Sequence, residues 1–191
     1  MILPVVGYGS NILREKCVDI GKDYPDLSKL VADMWETLYE SSGVGLAAPQ
    51  IDRNIRLFVV DSTQIFEHLE HGEETYPDSP GFKKVFINAR IVEKKGEEWP
   101  YQEGCLSIPG IREDVLRPEE VVVEYVDENF KKHRDTFNGI TARIIQHEYD
   151  HTDGKLFIDY LKPLKRKMMG RKLDNIVKGN VKVDYKMKFA K

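Results

Sequence analysis

The stretch Gly139-Ile140-Thr141-Ala142-Arg143-Ile144-Ile145-Gln146-His147-Glu148-Tyr149-Asp150-His151 decides how this chain is built. It reads as a helix, with Asn138 standing where an N-cap belongs. On a helix, residues four apart share one face, so the imidazoles of His147 and His151 can reach a single metal ion. Glu148 sits one step round, where it can handle the proton of a water without being a ligand. This is the H-E-x-x-H arrangement, in which a metal makes water nucleophilic and the carboxylate moves its proton.

Two imidazoles leave such a site incomplete, because catalytic metal sites use three protein ligands and keep one position open. Cys105 is the candidate for the third. It lies in Glu103-Gly104-Cys105-Leu106-Ser107-Ile108-Pro109, where a glycine before the thiol and a proline soon after suggest a bend that presents a thiolate. The competing reading is a core cysteine, since Cys is among the most buried residue types. Cys17 has no such setting and reads as core.

Outward from the helix the chain alternates between short elements. Asp26 to Ser42 predicts an amphipathic helix with Leu27, Leu30, Val31, Met34 and Leu38 on its buried face, ended by Gly43-Val44-Gly45. Strands are predicted at Ile55–Val60, Val85–Ile87, Ala89–Glu93 and Glu120–Tyr125. Asp127-Glu128-Asn129 turns the chain into another strand, about Lys131 to Phe137. Between Ser62 and Gly81 the chain is acidic and irregular, a surface loop or insertion in which His68 and His71 lie among carboxylates. Lys162 to Val177 reads as a helix weakened by Gly170. Val181, Val183, Tyr185, Met187 and Phe189 then alternate with polar residues, the pattern of a strand with one apolar face. The expected fold is α+β, with short, mostly antiparallel strands around a central metal-binding helix, in one domain spanning 1–191.

The 191 residues are 41% hydrophobic and 32% charged, the balance of a globular chain with a sizeable core. No apolar run approaches the roughly 20 residues of a membrane span. Met1-Ile2-Leu3-Pro4 is unlike a secretion signal, and two cysteines suit a reducing compartment, so a cytoplasmic location is expected. The net charge of −3 is unevenly spread. From Lys162 onward there are eleven Lys and Arg against two acids, a local +9, which leaves −12 on the preceding residues. A basic tail on an acidic body suggests contact with a polyanion, with a solvated terminus as the alternative.

Three segments together resemble the peptide deformylase family. They are Gly43-Val44-Gly45-Leu46-Ala47-Ala48-Pro49-Gln50, Glu103-Gly104-Cys105-Leu106-Ser107 and Gln146-His147-Glu148-Tyr149-Asp150-His151, in the order that the family uses. The resemblance implies an enzyme that removes the N-formyl group from the initiator methionine of nascent polypeptides and releases formate. It implies Cys105, His147 and His151 as metal ligands and Glu148 as general acid/base. Gln50 and the backbone N–H of Leu106 would stabilise the oxyanion, and Gly43, Val44 and Gly45 would line the peptide groove. It also implies one divalent metal, ferrous iron in the cell, with zinc, nickel or cobalt in purified protein; ligand chemistry alone would suggest zinc. The implied partners are N-formyl-Met nascent peptides and, through the basic tail, the ribosome.

Glu103 and Arg112 are candidates for support around the cysteine loop or for holding the peptide, with an ordinary exposed ion pair as the alternative. Asp150 is expected to face away in a structural hydrogen bond and Tyr149 to pack in the core. The chain departs from many members at Asn88-Ala89, where they carry Asn-Pro, and at Arg143, where they carry an aliphatic residue near the methionine pocket. Arg143 is expected to snorkel outward, leaving Ile140 and Ile144 beside the pocket. Two rival readings remain at this level. One is a metal-dependent endopeptidase sharing H-E-x-x-H; the other is an RNA-binding module with a structural metal.

Overall fold

The computed structural model describes residues 1–67 and 81–190. In chain order its elements are β1 (Val5–Val6), α1 (Leu27–Glu40), β2 (Gly45–Ala47), β3 (Leu57–Asp61), α2 (Thr63–Glu67), β4 (Lys83–Cys105) and β5 (Ile108–Val126). They continue with β6 (Lys132–Asn138), α3 (Gly139–Thr152), α4 (Pro163–Met168), α5 (Gly170–Val177) and β7 (Met187–Lys188). Strands β2 to β6 form one antiparallel sheet in sequence order, and β1 pairs with β7 in parallel. The fold is α+β, as its sequence predicts.

Period-two alternation in β3 explains the layering. Leu57 and Val59 point to one face and pack with Met34 and Leu38 of α1. Phe58 and Val60 point to the other and pack with Ile140, Ile144 and Ile145 of α3. The sheet is therefore covered on both faces, which is why β3 is buried along its whole length. A third apolar cluster joins Ile108, Ile111 and Val115 of β5 to Phe157, Leu161, Met169, Leu173 and Ile176 of the C-terminal segment. Nearly all of α3 is buried; Tyr149 alone is half-exposed.

Helix α1 buries the face read from its spacing, with Leu27 and Leu30 at the half-buried margin. Its end differs from expectation. Ser42, at φ 52°, takes the left-handed position, while the Ser42 and Gly43 N–H groups bond to the carbonyls of Tyr39 and Leu38 at 3.0 and 2.9 Å. This is a Schellman closure with serine in the usual glycine position. Gly43 is needed for space, since a Cβ there would lie 2.8 Å from Leu38 Cδ1 and 3.0 Å from Leu106 Cδ1. Asn138 does occupy the N-cap of α3, but its side chain makes no capping bond.

The β4–β5 hairpin is the main departure from the strands expected. Strand runs on from Glu93 to Cys105 and starts again at Ile108, through Lys94-Lys95-Gly96-Glu97-Glu98, which has no apolar alternation. Backbone pairing holds this part while its side chains stay in water. Register shifts at four places bend the hairpin, so that its base joins the sheet and its tip reaches the C-terminal cluster. At the first shift Asn88 adopts φ 53°, and its side chain donates to Ile20 O at 2.8 Å and accepts from Ile20 N at 2.9 Å. Ala89, where many relatives carry proline, is fully buried beside it. Asn88→Ala loses both bonds and keeps the left-handed strain, so it should cost about 2 kcal/mol. Urea denaturation checks this, and a loss below about 0.5 kcal/mol would remove Asn88 from that role.

The segment after Ser62 begins as the short helix α2; the rest of the expected loop, 68–80 with His68 and His71, lies outside the described residues. The tail helix is two helices, with Met169 between them turned into the core and Gly170 opening the second. From Val181 to Ala190 burial alternates with period two as the sequence predicts, yet only Met187 and Lys188 form a ladder. No helix among the described residues is long and apolar enough to cross a membrane.

Candidate metal centre

Three elements converge at one end of α3. The helix carries His147, Glu148 and His151; β4 ends on Cys105 just before the tight turn to β5; and a 3-10 turn, Ala48–Ile51, follows β2 and carries Gln50. The ligand atoms of Cys105, His147 and His151 all lie within 4.8 Å of one another. Cys105 Sγ is 3.2 Å from His151 Nε2, and the two imidazoles meet edge to face with centroids 5.1 Å apart.

Glu103, two residues before the thiol, holds the first histidine in place. Its carboxylate accepts from His147 Nδ1 at 2.9 Å, which fixes the ring's orientation and leaves Nε2 for the centre. The same carboxylate takes two parallel bonds from Arg117, Nε at 2.7 Å and Nη2 at 3.0 Å, and one from Arg143 Nη1 at 3.0 Å. Arg117 Nη1 also reaches Asp150 Oδ2 at 2.6 Å, where the Tyr160 hydroxyl donates at 2.8 Å. Glu103 is thus no exposed ion pair: it is 5% exposed, and Arg117 and Arg143 are each 2% exposed.

One expectation is corrected here. Arg143 does not snorkel outward. Its guanidinium lies over the Trp99 ring at 4.8 Å and donates to the carbonyls of Val115 and Trp99, at 2.9 and 2.6 Å. An arginine can be buried there because the hairpin supplies a carboxylate, an aromatic face and two carbonyls at once. Arg112 is exposed, with its side chain lying across Gly104 next to the thiol. The arginine that supports Glu103 is Arg117, which sequence reasoning missed. Asp150 makes the structural bond expected of it, and Tyr149 joins the apolar cluster on α3.

Gln50 is held by its carbonyl oxygen, which accepts the Ala47 N–H at 2.8 Å. That leaves Nε2 pointing at Ser107 Oγ, 3.3 Å away, and at Cys105 Sγ, 3.5 Å away. Leu106 starts the two-residue turn after the thiol. Gly45 gives Glu148 its place, for a Cβ there would lie 2.5 Å from Glu148 Oε1. β2 is an edge strand whose Val44 carbonyl bonds back to the Asp61 N–H at 2.9 Å. By antiparallel alternation the Gly45 amide and carbonyl then point away from β3, to the free edge.

Burial sets the charges. Glu148 is 4% exposed, and burial pushes its pKa up to about 7. Burial opposes charge on Glu103 too, but hydrogen bonds from His147 and Arg117 outweigh it and hold this carboxyl well below the usual range. Burial and the charges of His147 and Arg117 push His151 well below the usual imidazole range. For His147 the bonds to Cys105 and Glu103 overcome burial and raise the pKa well above that range. Cys17 is buried core, its thiol pushed up to about 11 by desolvation.

One thiolate donor and two imidazoles around one point, with a carboxylate behind the first ring, suit a divalent metal with three protein ligands. Glu148 Oε2, buried beside them, has no hydrogen-bond partner among the described residues. An acceptor in that position is ready for a proton from a reacting molecule.

Comparison with known proteins agrees. The family profile for polypeptide deformylase matches residues 2–167. A peptide deformylase of Christiangramia forsetii is 49% identical over 189 residues, 99% of this chain and 96% of that protein. One from Flavobacterium psychrophilum is 49% identical over 190 residues, covering 100% and 98%. The crystal structure of a peptide deformylase from Legionella pneumophila superposes with a TM-score of 0.79 at 37% identity, covering 94% of this chain and 98% of that one. Fold, converging ligands and relatives together establish that this chain belongs to the peptide deformylase family, metal-dependent hydrolases that remove the N-formyl group from nascent peptides.

Proposed function

We propose that Cys105, His147 and His151 hold one divalent metal, ferrous iron in the cell, and that Glu148, Gln50 and Leu106 carry out deformylation around it. When bound, the metal supplies Lewis acidity and makes water a nucleophile near neutral pH. Glu148 accepts the proton of the attacking water and returns it to the departing methionine nitrogen as the C–N bond breaks. The Leu106 N–H and the Gln50 amide donate to the oxyanion that develops on the formyl oxygen. Gly43, Val44 and Gly45 give the peptide a backbone edge to lie against, with the outward-pointing groups of Gly45 as the main contacts. The observation that supports this most strongly is the meeting of three ligand atoms with the partnerless oxygen of Glu148. Zinc would suit the ligand set equally, and iron follows from the family. Anaerobic purification with metal analysis and an N-formyl-Met peptide assay tests the reading. Zinc alone in active protein would overturn iron, and internal peptide cleavage without deformylation would overturn the reaction.

The tail supports a contact with ribosomal RNA in the cytoplasm, where formylated chains emerge. Arg166, Lys167, Arg171 and Lys172 are exposed on α4 and α5, and Lys165 is engaged by Glu113 at 2.5 Å. Neutralising Lys165, Arg166, Lys167, Arg171 and Lys172 together should weaken ribosome binding about tenfold or more at low salt and flatten its salt dependence. Activity on free formyl-peptides should stay unchanged. Equal ribosome affinity in a sedimentation assay would end this idea.

A further inference from the structure

The tail has a second relation to the site. After α5 the chain returns past β1, with Val5 N–H bonded to Lys186 O at 2.8 Å and Gly7 N–H to Lys188 O at 2.9 Å. Met187 and Phe189 pack against the glycine at position 7, where a Cβ would lie 3.3 Å from each. This seats Tyr185, half-buried, so that its hydroxyl donates to the Leu106 carbonyl at 2.8 Å. The N-terminal segment clasped by the same tail sends the Tyr8 N–H to the Ser107 carbonyl, also at 2.8 Å. Gln50 Nε2 holds the Ser107 hydroxyl at 3.3 Å. Lys188 ties the strap to Asp52, two residues beyond Gln50, at 2.6 Å.

We propose that Tyr185 is a positioning residue for deformylation, acting through the Leu106 carbonyl to aim the Leu106 N–H at the developing oxyanion. The inference rests on the reading of that N–H as an oxyanion donor. A two-residue turn next to a metal ligand has few internal bonds to hold its peptide planes. An oxyanion donor must nonetheless point to where charge develops, since small misplacements lose rate steeply. Tyr185 supplies the missing anchor on Leu106, as the Tyr8 amide does on Ser107. The exposed Lys188–Asp52 pair adds little energy of its own, but it joins the strap to the residue that closes the turn carrying Gln50.

Tyr185→Phe in the full-length, zinc-loaded protein removes the donor and keeps the ring. With N-formyl-Met-Ala as substrate, kcat should fall about tenfold, the worth of one hydrogen bond, while KM stays within about twofold. Affinity for a peptide phosphonate, whose anionic oxygen imitates the oxyanion, should fall by the same factor as kcat. Affinity for the product Met-Ala, bound zinc and melting temperature should hold. In 15N spectra of the zinc-loaded protein without substrate, the Leu106 amide should exchange with solvent faster. Incorporating 4-aminophenylalanine at position 185, which restores a donor, should recover most of kcat. An unchanged kcat, or a loss shared equally by phosphonate and product, would overturn the proposal. A wild-type protein with no deformylase activity would instead overturn the parent reading, and the amide-exchange measurement separates the two.

Discussion

Glu148→Gln is expected to retain its metal and lose turnover by about a thousandfold, the scale of a positioned general acid/base. Glutamine keeps the shape, and Gly45 still leaves room for it, but it cannot take a proton from water. Near-normal kcat with metal bound would remove Glu148 from the mechanism. The pH profile carries a second signature. Burial raises this carboxyl, to about 7 without metal, and a bound cation would draw it back down, so its base form, and with it kcat/KM, should fall as pH drops through a value below 7. Stability should move in the opposite sense. In metal-free protein the folded state keeps a proton on Glu148 that the unfolded chain releases near 4.5. Folded wild-type therefore carries a Glu148 contribution that is lost as pH rises from about 4.5 to about 7, and Glu148→Gln lacks it. Melting curves of the two apo-proteins should diverge across that window, with the variant more stable above it. Parallel curves would show that the buried carboxyl titrates normally.

Arg117→Met should be the most destabilising of the substitutions considered, by about 3–5 kcal/mol, because it breaks a buried pair and strands its partners. Glu103 would keep bonds from Arg143 and His147, but the Asp150 carboxylate would keep only the Tyr160 hydroxyl among the described residues. Removing Glu103 as well should recover part of the loss, since an unpaired buried charge costs more than an absent pair. Exposed ion pairs give the contrast. Arg134 bonds to both Glu93 and Glu124 but is 56% exposed by its side chain, so Arg134→Ala should cost less than about 1 kcal/mol. Loosened Glu103 also frees His147, and zinc affinity measured by chelator competition should drop about tenfold or more. Denaturation midpoints near wild type in Arg117→Met would show that the network is not structural.

The legibility of these residues follows from where their partners lie. The buried face of α1 is local, because a 3.6-residue period needs nothing beyond the helix to state it. The inward alternation of Val181 to Phe189 is local in the same way, but ladder formation is not, since it needs an edge to pair with, and the two-residue β1 limits the ladder to Met187 and Lys188. Lys94 to Glu98 was unreadable as strand, because its side chains remain in water and only the pairing backbone holds it. Arg117 was hidden by register. It lies fourteen residues from Glu103 and reaches it only because the hairpin folds back, with Gly104 opposite Arg112 and Cys105 opposite Ile108 across an irregular turn. Arg112 was the nearer choice in sequence, but it stays exposed, with its side chain lying across Gly104. Arg143 could be placed on a helix face, but no helical period states that a long cation there meets a carboxylate forty residues upstream.

By itself the sequence determined the proposed reactive set. His147, Glu148 and His151 are joined by helical spacing, Cys105 is marked by its loop, and the layer order follows from alternating strands. Those are short-range properties of the chain. Tertiary structure alone decided how the set is held: Glu103 behind His147 with two buried arginines, Gly45 making room for Glu148, and Tyr185 on the Leu106 carbonyl. Each of these joins residues far apart in the chain, and their partners exist only once the hairpin, helix and tail have packed together.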